Sequence, residues 1–104
     1  MFIVTESAYS VYLVRCRDGS LYTGIATDVD RRLKEHQDTP RGAKFLRGKG
    51  PLELVFRREV GDRSVASRIE HAIKRLPAHE KSDQVALTAR IESVLTEIGI
   101  VSKE

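Results

Sequence analysis

The chain has no apolar stretch that approaches the roughly 20 residues needed to span a bilayer, and it has only one cysteine. A single cysteine excludes an internal disulfide. Cys16 lies among apolar residues of a predicted strand, where we expect a reduced, buried and inert thiol. The first six residues have neither the basic flank nor the apolar stretch of a signal peptide. These absences favour a cytoplasmic protein that does not interact with membranes.

Several common catalytic and metal-binding patterns are also missing. The sequence contains no glycine-rich nucleotide loop and no Ser-His-Asp signature, and its three histidines are not spaced as a metal site. There is no internal repeat and no long linker. At 104 residues, the chain is long enough for one hydrophobic core and too short for two. We therefore expect a single domain.

Charge is distributed unevenly along the chain. The net charge is only +3, yet half of the 18 basic residues lie between Arg31 and Arg58, and the residues after Pro77 are predominantly acidic. The basic stretch also contains three glycines, at which the backbone can approach a phosphate closely. This pattern favours a nucleic-acid-binding surface. The alternative is a solvated loop that lysine and arginine keep soluble.

Periodicity and turn signals predict the element order β-β-α-β-α-α. Asp18-Gly19 predicts a hairpin between the first two strands, and Thr27 with Asp30 resembles a capping box for the first helix. This order predicts an α+β fold, a small three-stranded antiparallel sheet flanked by helices. The predicted strands are Tyr9–Arg17, Leu21–Ile25 and Leu52–Val60, and the predicted helices are 28–37, 63–76 and 81–98.

Three details of this layout are specific enough to be checked. Leu52, Leu54 and Phe56 are expected on one side of the third strand because they alternate. Asp62 is expected to cap the second helix. The residues from Asp38 to Pro51 are expected to form a basic loop punctuated by glycine.

Two tyrosines ten residues apart are the first candidates for chemistry. Tyr12 and Tyr22 flank the predicted hairpin, so they can lie near one another on neighbouring strands. Most strand tyrosines are packing residues with a satisfied hydroxyl. The functional alternative is a phenol aimed at a phosphate or an attacking water, with a pKa that the basic surroundings lower.

An arginine, a histidine and a glutamate extend the candidate site. Arg32 and His36 are four residues apart on the first helix and share a face. The planar guanidinium can hold a phosphate through two hydrogen bonds, whereas His36 also suits the edge of a core. Glu70, on the flank of the second helix, either forms an ordinary surface ion pair or anchors a Mg²⁺ ion that keeps its waters and binds substrate phosphate.

Jointly, these residues resemble the GIY-YIG nuclease domain family, especially its small single-domain bacterial members. Arg32 follows the second tyrosine by ten residues, as the catalytic arginine of the family does, and Glu70 lies on the helix after the third strand, where the family has its metal-binding glutamate. The two family motifs correspond to Ser10-Val11-Tyr12 and Tyr22-Thr23-Gly24. Several matches in the same order argue against coincidence.

The resemblance also has departures. Ser10 replaces the glycine of the first motif, and Thr23 replaces the usual central isoleucine of the second. Family members often carry an asparagine after the glutamate helix, and this chain has no asparagine at all.

A further resemblance lies in the predicted basic loop. The segment Gly42-Ala43-Lys44-Phe45-Leu46-Arg47 resembles a loop of the small bacterial members.

The resemblance implies a nuclease domain over residues 8–78, with a helical extension over 79–104 packed on the same domain. It implies hydrolysis of phosphodiester bonds, with Mg²⁺ or Mn²⁺ as cofactor and nucleic acid as partner, DNA in preference to RNA. Selectivity for structure rather than for sequence is expected, in repair or nucleic-acid processing.

The resemblance further implies a role for each site residue. Tyr22, helped by Tyr12, activates or positions a water, Arg32 neutralises charge on the phosphoryl oxygens, and Glu70 holds the metal. His36 is expected to orient Tyr22 or to grip the phosphate. Nucleic-acid contacts are expected from four residues of the basic loop, Arg41, Lys44, Arg47 and Lys49.

Two other functions remain open at the level of sequence. One is a nucleic-acid-binding module that keeps the scaffold with little or no catalysis. The other is an adaptor that binds a protein partner through the apolar stripe of the C-terminal helix. We rank the nuclease first because five site features coincide, and the adaptor last.

Overall fold

A three-stranded antiparallel sheet forms the centre of the molecule. The computed structural model of the chain describes residues 8–38 and 51–99. The sheet has the order β2-β1-β3, so the first strand of the chain is the central one. Its strands are β1 (Tyr9–Arg15), β2 (Leu21–Ala26) and β3 (Glu53–Gly61). The predicted α+β fold is confirmed, with strand ends that shift by one or two residues.

A tight turn joins β1 to β2 and sets their register. Gly19 has φ 88°, a left-handed conformation that glycine adopts without strain. The Asp18 carboxylate accepts hydrogen bonds from the backbone N–H and the hydroxyl of Ser20, at 3.0 and 2.6 Å. The resulting register places Tyr12 opposite Gly24, and Val14 opposite Tyr22. Tyr12 and Tyr22 therefore lie on the same face, one step apart diagonally.

Helix α1 (Val29–Asp38) covers the face of the sheet that carries the two tyrosines. Asp28, the residue before the helix, caps it: its carboxylate accepts a hydrogen bond from the Arg31 backbone N–H at 3.1 Å. The predicted capping box placed Thr27 in that role. Asp28 replaces it because the backbone carbonyl of Asp28 accepts the first helical bond, from Arg32 N–H.

Three further helices follow β3, namely α2 (Arg63–Lys74), α3 (Ala78–Lys81) and α4 (Gln84–Ile98). Asp62 caps α2 through the Val65 N–H, as predicted. The single helix predicted over residues 81–98 is instead the short α3 followed by α4. Asp83 separates the two helices because its carboxylate caps α4, accepting hydrogen bonds from the backbone N–H groups of Val85 and Ala86. Gly99, with φ 86°, ends α4 as predicted.

Helices α2 and α4 pack together against the opposite face of the sheet. Val11 and Leu13 of β1 are fully buried there, so the central strand is buried on both faces, as its apolar composition predicted. The predicted helical stripes form this core: Val65, Ile69, Ile73, Leu76, Leu87, Ile91, Val94 and Leu95. Because α4 shares this core with α2, the C-terminal helix stabilises the helix that carries Glu70.

One prediction for β3 is wrong. Leu52 and Leu54 pack with the α1 cluster, whereas Phe56 packs with the α2–α4 core. The cause is an irregularity in the β1–β3 register between Leu13 and Val14. An extra residue in β3 at that point breaks the strict alternation, so Phe56 faces the opposite side of the sheet from Leu54.

Within the described ranges no helix is both long and apolar enough to cross a bilayer. Cys16 is buried and free, as predicted.

Candidate active site

The two tyrosine rings lie together on the α1 side of the β1–β2 hairpin. Their centroids are 6.4 Å apart and the rings are tilted by 48°. Tyr12 is almost completely buried, with 1% of its surface exposed. Tyr22, nearer the turn, is only partly buried. The sequence predicted this proximity, and the structure adds that only Tyr22 retains substantial access to solvent.

His36 of α1 joins the tyrosine pair from above the sheet. Its Nε2 lies 2.8 Å from the Tyr12 hydroxyl oxygen, within hydrogen-bond distance. Its ring centroid is 6.1 Å from that of Tyr12 and 5.6 Å from that of Tyr22, which it meets edge-on. His36 is itself buried, with 6% of its surface exposed. The three rings therefore form one packed cluster, in which His36 contacts both tyrosines.

Gly24 leaves the space that the Tyr12 hydroxyl occupies. A Cβ atom built on Gly24 would lie 2.6 Å from that hydroxyl oxygen and 2.7 Å from Cζ of the same ring. Real Cβ atoms do not approach other atoms so closely, and a well-packed interior leaves no room for the ring to retreat. Tyr12 of the first sequence motif therefore requires a glycine at position 24, in the second motif.

Burial determines the protonation of the cluster. It raises the pKa of Tyr12 above the ordinary value of a phenol, Tyr22 and Glu70 act in the same direction, and Arg32 opposes them. The sequence suggested that basic surroundings lower the tyrosine pKa. For Tyr12 the opposite holds, because desolvation outweighs the single nearby guanidinium. Tyr12 therefore keeps its proton at neutral pH.

His36 is neutral for the same reason. Burial lowers the pKa of His36 below its ordinary value of 6.5, and the positive charge of Arg32 lowers it further, while Glu35 partly compensates. A protonated phenol and a neutral imidazole can share one hydrogen bond over the 2.8 Å between Tyr12 and His36, with the donor set by the tautomer of the imidazole.

Arg32 lies one turn before His36 on α1 and is held by Glu35. Its Nη1 donates to Glu35 Oε1 at 2.8 Å, and this bond raises the pKa of Arg32. Arg31 reaches the same carboxylate at a longer distance of 3.6 Å. The Arg32 side chain is 36% exposed, whereas that of Arg31 is 75% exposed. Arg32 is thus the inner, anchored arginine of the pair.

Glu35 is a residue that the sequence reasoning missed as part of the site. Its spacing of three and four residues from the two arginines is a recognised signal for helical ion pairs. It controls how much positive charge α1 presents, since one carboxylate contacts both guanidinium groups.

Glu70 approaches the site from α2. Its side chain is 21% exposed and forms an ion pair with Lys74 at 3.2 Å. Its charge contributes to the raised pKa of Tyr12, so the two residues share one electrostatic environment. In the part of the chain that the structure describes, no cluster of three or more His, Cys, Asp or Glu side chains is arranged to hold a metal. A lone carboxylate fits Mg²⁺, which keeps several waters and takes further ligands from substrate phosphates.

An open cavity of about 240 Å³ lies beside Arg32, at the start of α1. Its walls come from the start of β1, the end of β2, the β2–α1 turn and α1, and Arg32 is the wall residue that also acts on Tyr12. The residues that line it are Tyr9, Ile25, Ala26, Thr27, Asp28, Arg31, Arg32 and Glu35.

The structure therefore brings Tyr12, Tyr22 and His36 into contact, with Arg32 and Glu70 acting on the same phenol. The four predicted nucleic-acid contacts lie in residues 39–50, outside the described part of the chain: Arg41, Lys44, Arg47 and Lys49.

Comparisons with known proteins identify the family of the chain. Residues 8–82 match the family model of the GIY-YIG catalytic domain. The chain is 51% identical over 88 residues to the UPF0213 protein YhbQ of Salmonella arizonae, an alignment that covers 85% of this chain and 87% of the relative. It is 47% identical over 92 residues to a UPF0213 protein of Yersinia pestis, covering 88% and 96% of the two chains.

A solved structure gives an independent comparison of the fold. The solution structure of the protein EF2693 from E. faecalis is 27% identical and superposes with a TM-score of 0.51, covering 93% of this chain and 92% of that one. The matched family segment comprises most of the chain and includes both tyrosines, Arg32 and Glu70. This protein accordingly belongs to the GIY-YIG family of nuclease-type catalytic domains.

Proposed function

We propose that the protein is a divalent-metal-dependent nuclease that hydrolyses phosphodiester bonds, in DNA rather than RNA. One observation carries the proposal. A buried Tyr12–His36 pair contacts a partly exposed tyrosine, while a guanidinium and a carboxylate from two different helices act on the same phenol. Packing alone does not require these charges at a ring cluster, because burying titratable groups costs stability and their clustering is typical of functional sites.

Tyr22 is the residue that suits contact with the reacting water. It is the tyrosine with access to solvent, and the edge of the His36 ring fixes the orientation of its own ring at 5.6 Å. Tyr12 is too buried and too firmly protonated to serve as a base. Its task is to hold His36, and His36 in turn orients Tyr22, so that the phenol positions the water for attack at phosphorus.

Arg32 suits stabilisation of the transition state. Negative charge accumulates on the non-bridging oxygens during attack, and a guanidinium that is already held in place needs little reorganisation to meet it. The bond to Glu35 supplies that anchoring while leaving about a third of the Arg32 side chain exposed. Arg32 also lines the open cavity at the start of α1, where a phosphate can be placed.

Glu70 is the residue that would hold the metal. A divalent ion bound there supplies charge neutralisation for the leaving oxygen. The ion pair between Glu70 and Lys74 competes with such binding, but both groups are partly exposed and the pair is a weak one. The proposal includes selectivity for the structure of the nucleic acid rather than for its sequence, in repair or another nucleic-acid processing reaction.

A second function, nucleic-acid binding without efficient catalysis, is favoured by one observation. The carboxylate that would hold the metal has its charge balanced by Lys74 at 3.2 Å. If that ion pair persists in the presence of Mg²⁺, the site lacks a metal ligand and the scaffold only binds.

A cleavage assay with a matched pair of arginine variants separates the two. Labelled single-stranded, duplex and branched DNA, together with single-stranded RNA, are incubated with Mg²⁺, Mn²⁺ or EDTA. Arg32→Ala should lower the cleavage rate by about 10² to 10³-fold, which is the effect of removing one oxyanion donor. Arg90→Ala, which removes an exposed arginine of α4 that does not line this cavity, should stay close to the wild-type rate. Equal effects of the two variants contradict the role of Arg32, and wild-type binding without cleavage contradicts the nuclease.

A further inference from the structure

Helix α2 is the one net-cationic helix among those that the structure describes. Residues 63–74 hold three basic side chains and one acidic side chain, a net charge of +2, and Arg75, which follows as the C-cap, adds a fourth basic side chain. By contrast, α1 has three of each sign, and α4 has one basic and two acidic residues. The cationic helix is the same one that carries Glu70. A polyanion that binds near Glu70 is therefore attracted by the positive charge of this helix.

Two arginines and a histidine form a row on one flank of α2. Arg68, His71 and Arg75 are three and four residues apart, so they follow one another along the helix surface. All three are exposed. Arg68 and Arg75 are seven residues apart, a separation of about 10.5 Å along the axis. That distance corresponds to about three nucleotide steps of a DNA strand.

The two arginines of the row are also without acidic partners in the described part of the chain. Some arginines elsewhere are paired, as Arg15 is with Glu53 and Arg58 is with Glu92, the latter at 2.6 Å. Neither Arg68 nor Arg75 forms a salt bridge or a side-chain hydrogen bond within residues 8–38 and 51–99. Their guanidinium groups are therefore available for phosphate, which an arginine binds in a planar two-point geometry.

A groove between α2 and α4 lies directly beneath the row. It has a volume of about 460 Å³ and is lined by the three side chains of the row, by Ser67 and Ala72 of α2, and by Val94 and Glu97 of α4. Ser67 adds a hydroxyl that can donate to a phosphate oxygen. Glu97 is the acidic residue of the groove, and it opposes anion binding without pairing with either arginine.

The groove lies on the opposite side of α2 from the candidate active site. Successive residues of a helix are about 100° apart, so Arg68 and Glu70 project from α2 about 160° apart. A helix with its side chains is about 10–12 Å wide. A phosphate in the groove is therefore a different phosphate from the one that undergoes attack at Glu70.

We propose that Arg68, His71 and Arg75 form a second phosphate-binding surface, which holds the nucleic-acid backbone outside the scissile phosphate. The proposal rests on the proposed function for the identity of the polyanion. Contact on both flanks of α2 requires a substrate that wraps or branches around the helix. The surface thus favours a duplex or a branched DNA over a short single strand.

Equilibrium binding in EDTA tests the surface without any cleavage. A fluorescent duplex of about three helical turns, long enough to cover both flanks of α2, is titrated with wild type and with the double variant Arg68→Ala/Arg75→Ala. The control is Lys81→Ala/Arg90→Ala. It also removes two positive charges, from α3 and α4, that form no salt bridge in the described residues. Each titration is repeated from about 50 to 200 mM salt, the range over which phosphate contacts dominate the change in affinity.

The expected result is a change in the salt dependence. Each lost phosphate contact lowers the slope of log K against log salt by about 0.9 for duplex DNA, so the double variant should lose about 1.8. The control should keep the wild-type slope. Glu97→Gln leaves the arginines in place and removes the negative charge of the groove, so it should tighten DNA binding. This variant tests the surface if the double variant does not fold.

Each outcome decides the proposal. A wild-type slope in the double variant, or unchanged affinity in Glu97→Gln, overturns it even if the wild type cleaves DNA. A reduced slope supports it even if no cleavage is ever observed, in which case the proposed nuclease fails and the binding surface stands. Polyglutamate is titrated in the same way, as a model of an acidic protein. If the double variant loses binding to polyglutamate and binds DNA like the wild type, the surface belongs to an acidic protein partner and the proposal is overturned.

Discussion

The Tyr12 hydroxyl occupies the space that a side chain on Gly24 would take. The two residues face each other across the β1–β2 ladder, and a Cβ atom on Gly24 would lie 2.6 Å from the hydroxyl oxygen. The tyrosine of the first sequence motif therefore fits only because the second motif has a glycine opposite it. The glycine is needed for the side chain opposite, rather than for a backbone conformation of its own, since its φ is not positive.

Gly24→Ala should accordingly destabilise the protein by about 1–3 kcal/mol, as overpacking of a buried site does. The measurement is denaturant unfolding of a double-mutant cycle with Tyr12→Ala. In the Tyr12→Ala background, the cost of Gly24→Ala should largely disappear because the clash partner is gone. A cost that is the same in both backgrounds would show that the glycine is required for another reason.

His36 should make stability depend on pH. Its pKa is lowered in the folded state, so the unfolded chain binds more protons wherever the pH lies between the folded pKa and about 6.5. The contribution of His36 is fully present above pH 6.5 and is lost as the pH falls toward the folded pKa, by at most about 1.4 kcal/mol per pH unit.

The test compares wild type with His36→Gln, whose amide oxygen can still accept the Tyr12 hydroxyl bond. Unfolding free energies are measured about one pH unit above and one below the ordinary histidine pKa. The wild type should lose more stability than the variant between these two values. An identical loss in both proteins would mean that His36 is not responsible for the pH dependence.

Tyr12→Phe should lower the cleavage rate without changing the shape of the pH–rate profile. The substitution removes the bond to His36, whereas the protonated Tyr12 contributes no titration near neutral pH. Single-turnover cleavage across the neutral and mildly alkaline range measures both quantities. Disappearance of one limb of the profile in Tyr12→Phe would instead assign Tyr12 as the base.

Glu35→Gln should separate binding from catalysis. Removing this carboxylate raises the net positive charge around Arg31 and Arg32, so DNA should bind more tightly at low salt. Arg32 loses its 2.8 Å anchor at the same time, and the cleavage rate at saturating enzyme should fall. A faster rate in Glu35→Gln would show that the carboxylate merely inhibits Arg32.

The hairpin shows how much of the site local sequence can determine. Asp18-Gly19 sets the turn, the turn sets the register, and side-chain alternation then places Tyr12 and Tyr22 on one face. Each of these steps involves neighbours in the sequence. The proximity of the two tyrosines is therefore predictable from the sequence alone.

The contacts of that pair with α1 depend instead on tertiary packing. Tyr12 and His36 are 24 residues apart, and their hydrogen bond depends on how α1 lies over the sheet. The helical spacing of Glu35 indicates an ion pair, but not that Arg32 is held at 2.8 Å and Arg31 only at 3.6 Å. The position of Phe56 was missed because alternation does not reveal a β-bulge.

The most direct test of the proposed mechanism is the Mg²⁺ dependence of cleavage in Glu70→Gln. The variant keeps the size of the side chain and loses only a helical ion pair with Lys74, worth about 0.3–0.5 kcal/mol, so the fold should persist. Glu59→Gln, at an exposed position of β3, is the matched control. We expect Glu59→Gln to cleave duplex or branched DNA like the wild type, and folded Glu70→Gln to be inactive at every Mg²⁺ concentration. Equal cleavage by Glu70→Gln and the control would contradict the role of Glu70 as the metal ligand.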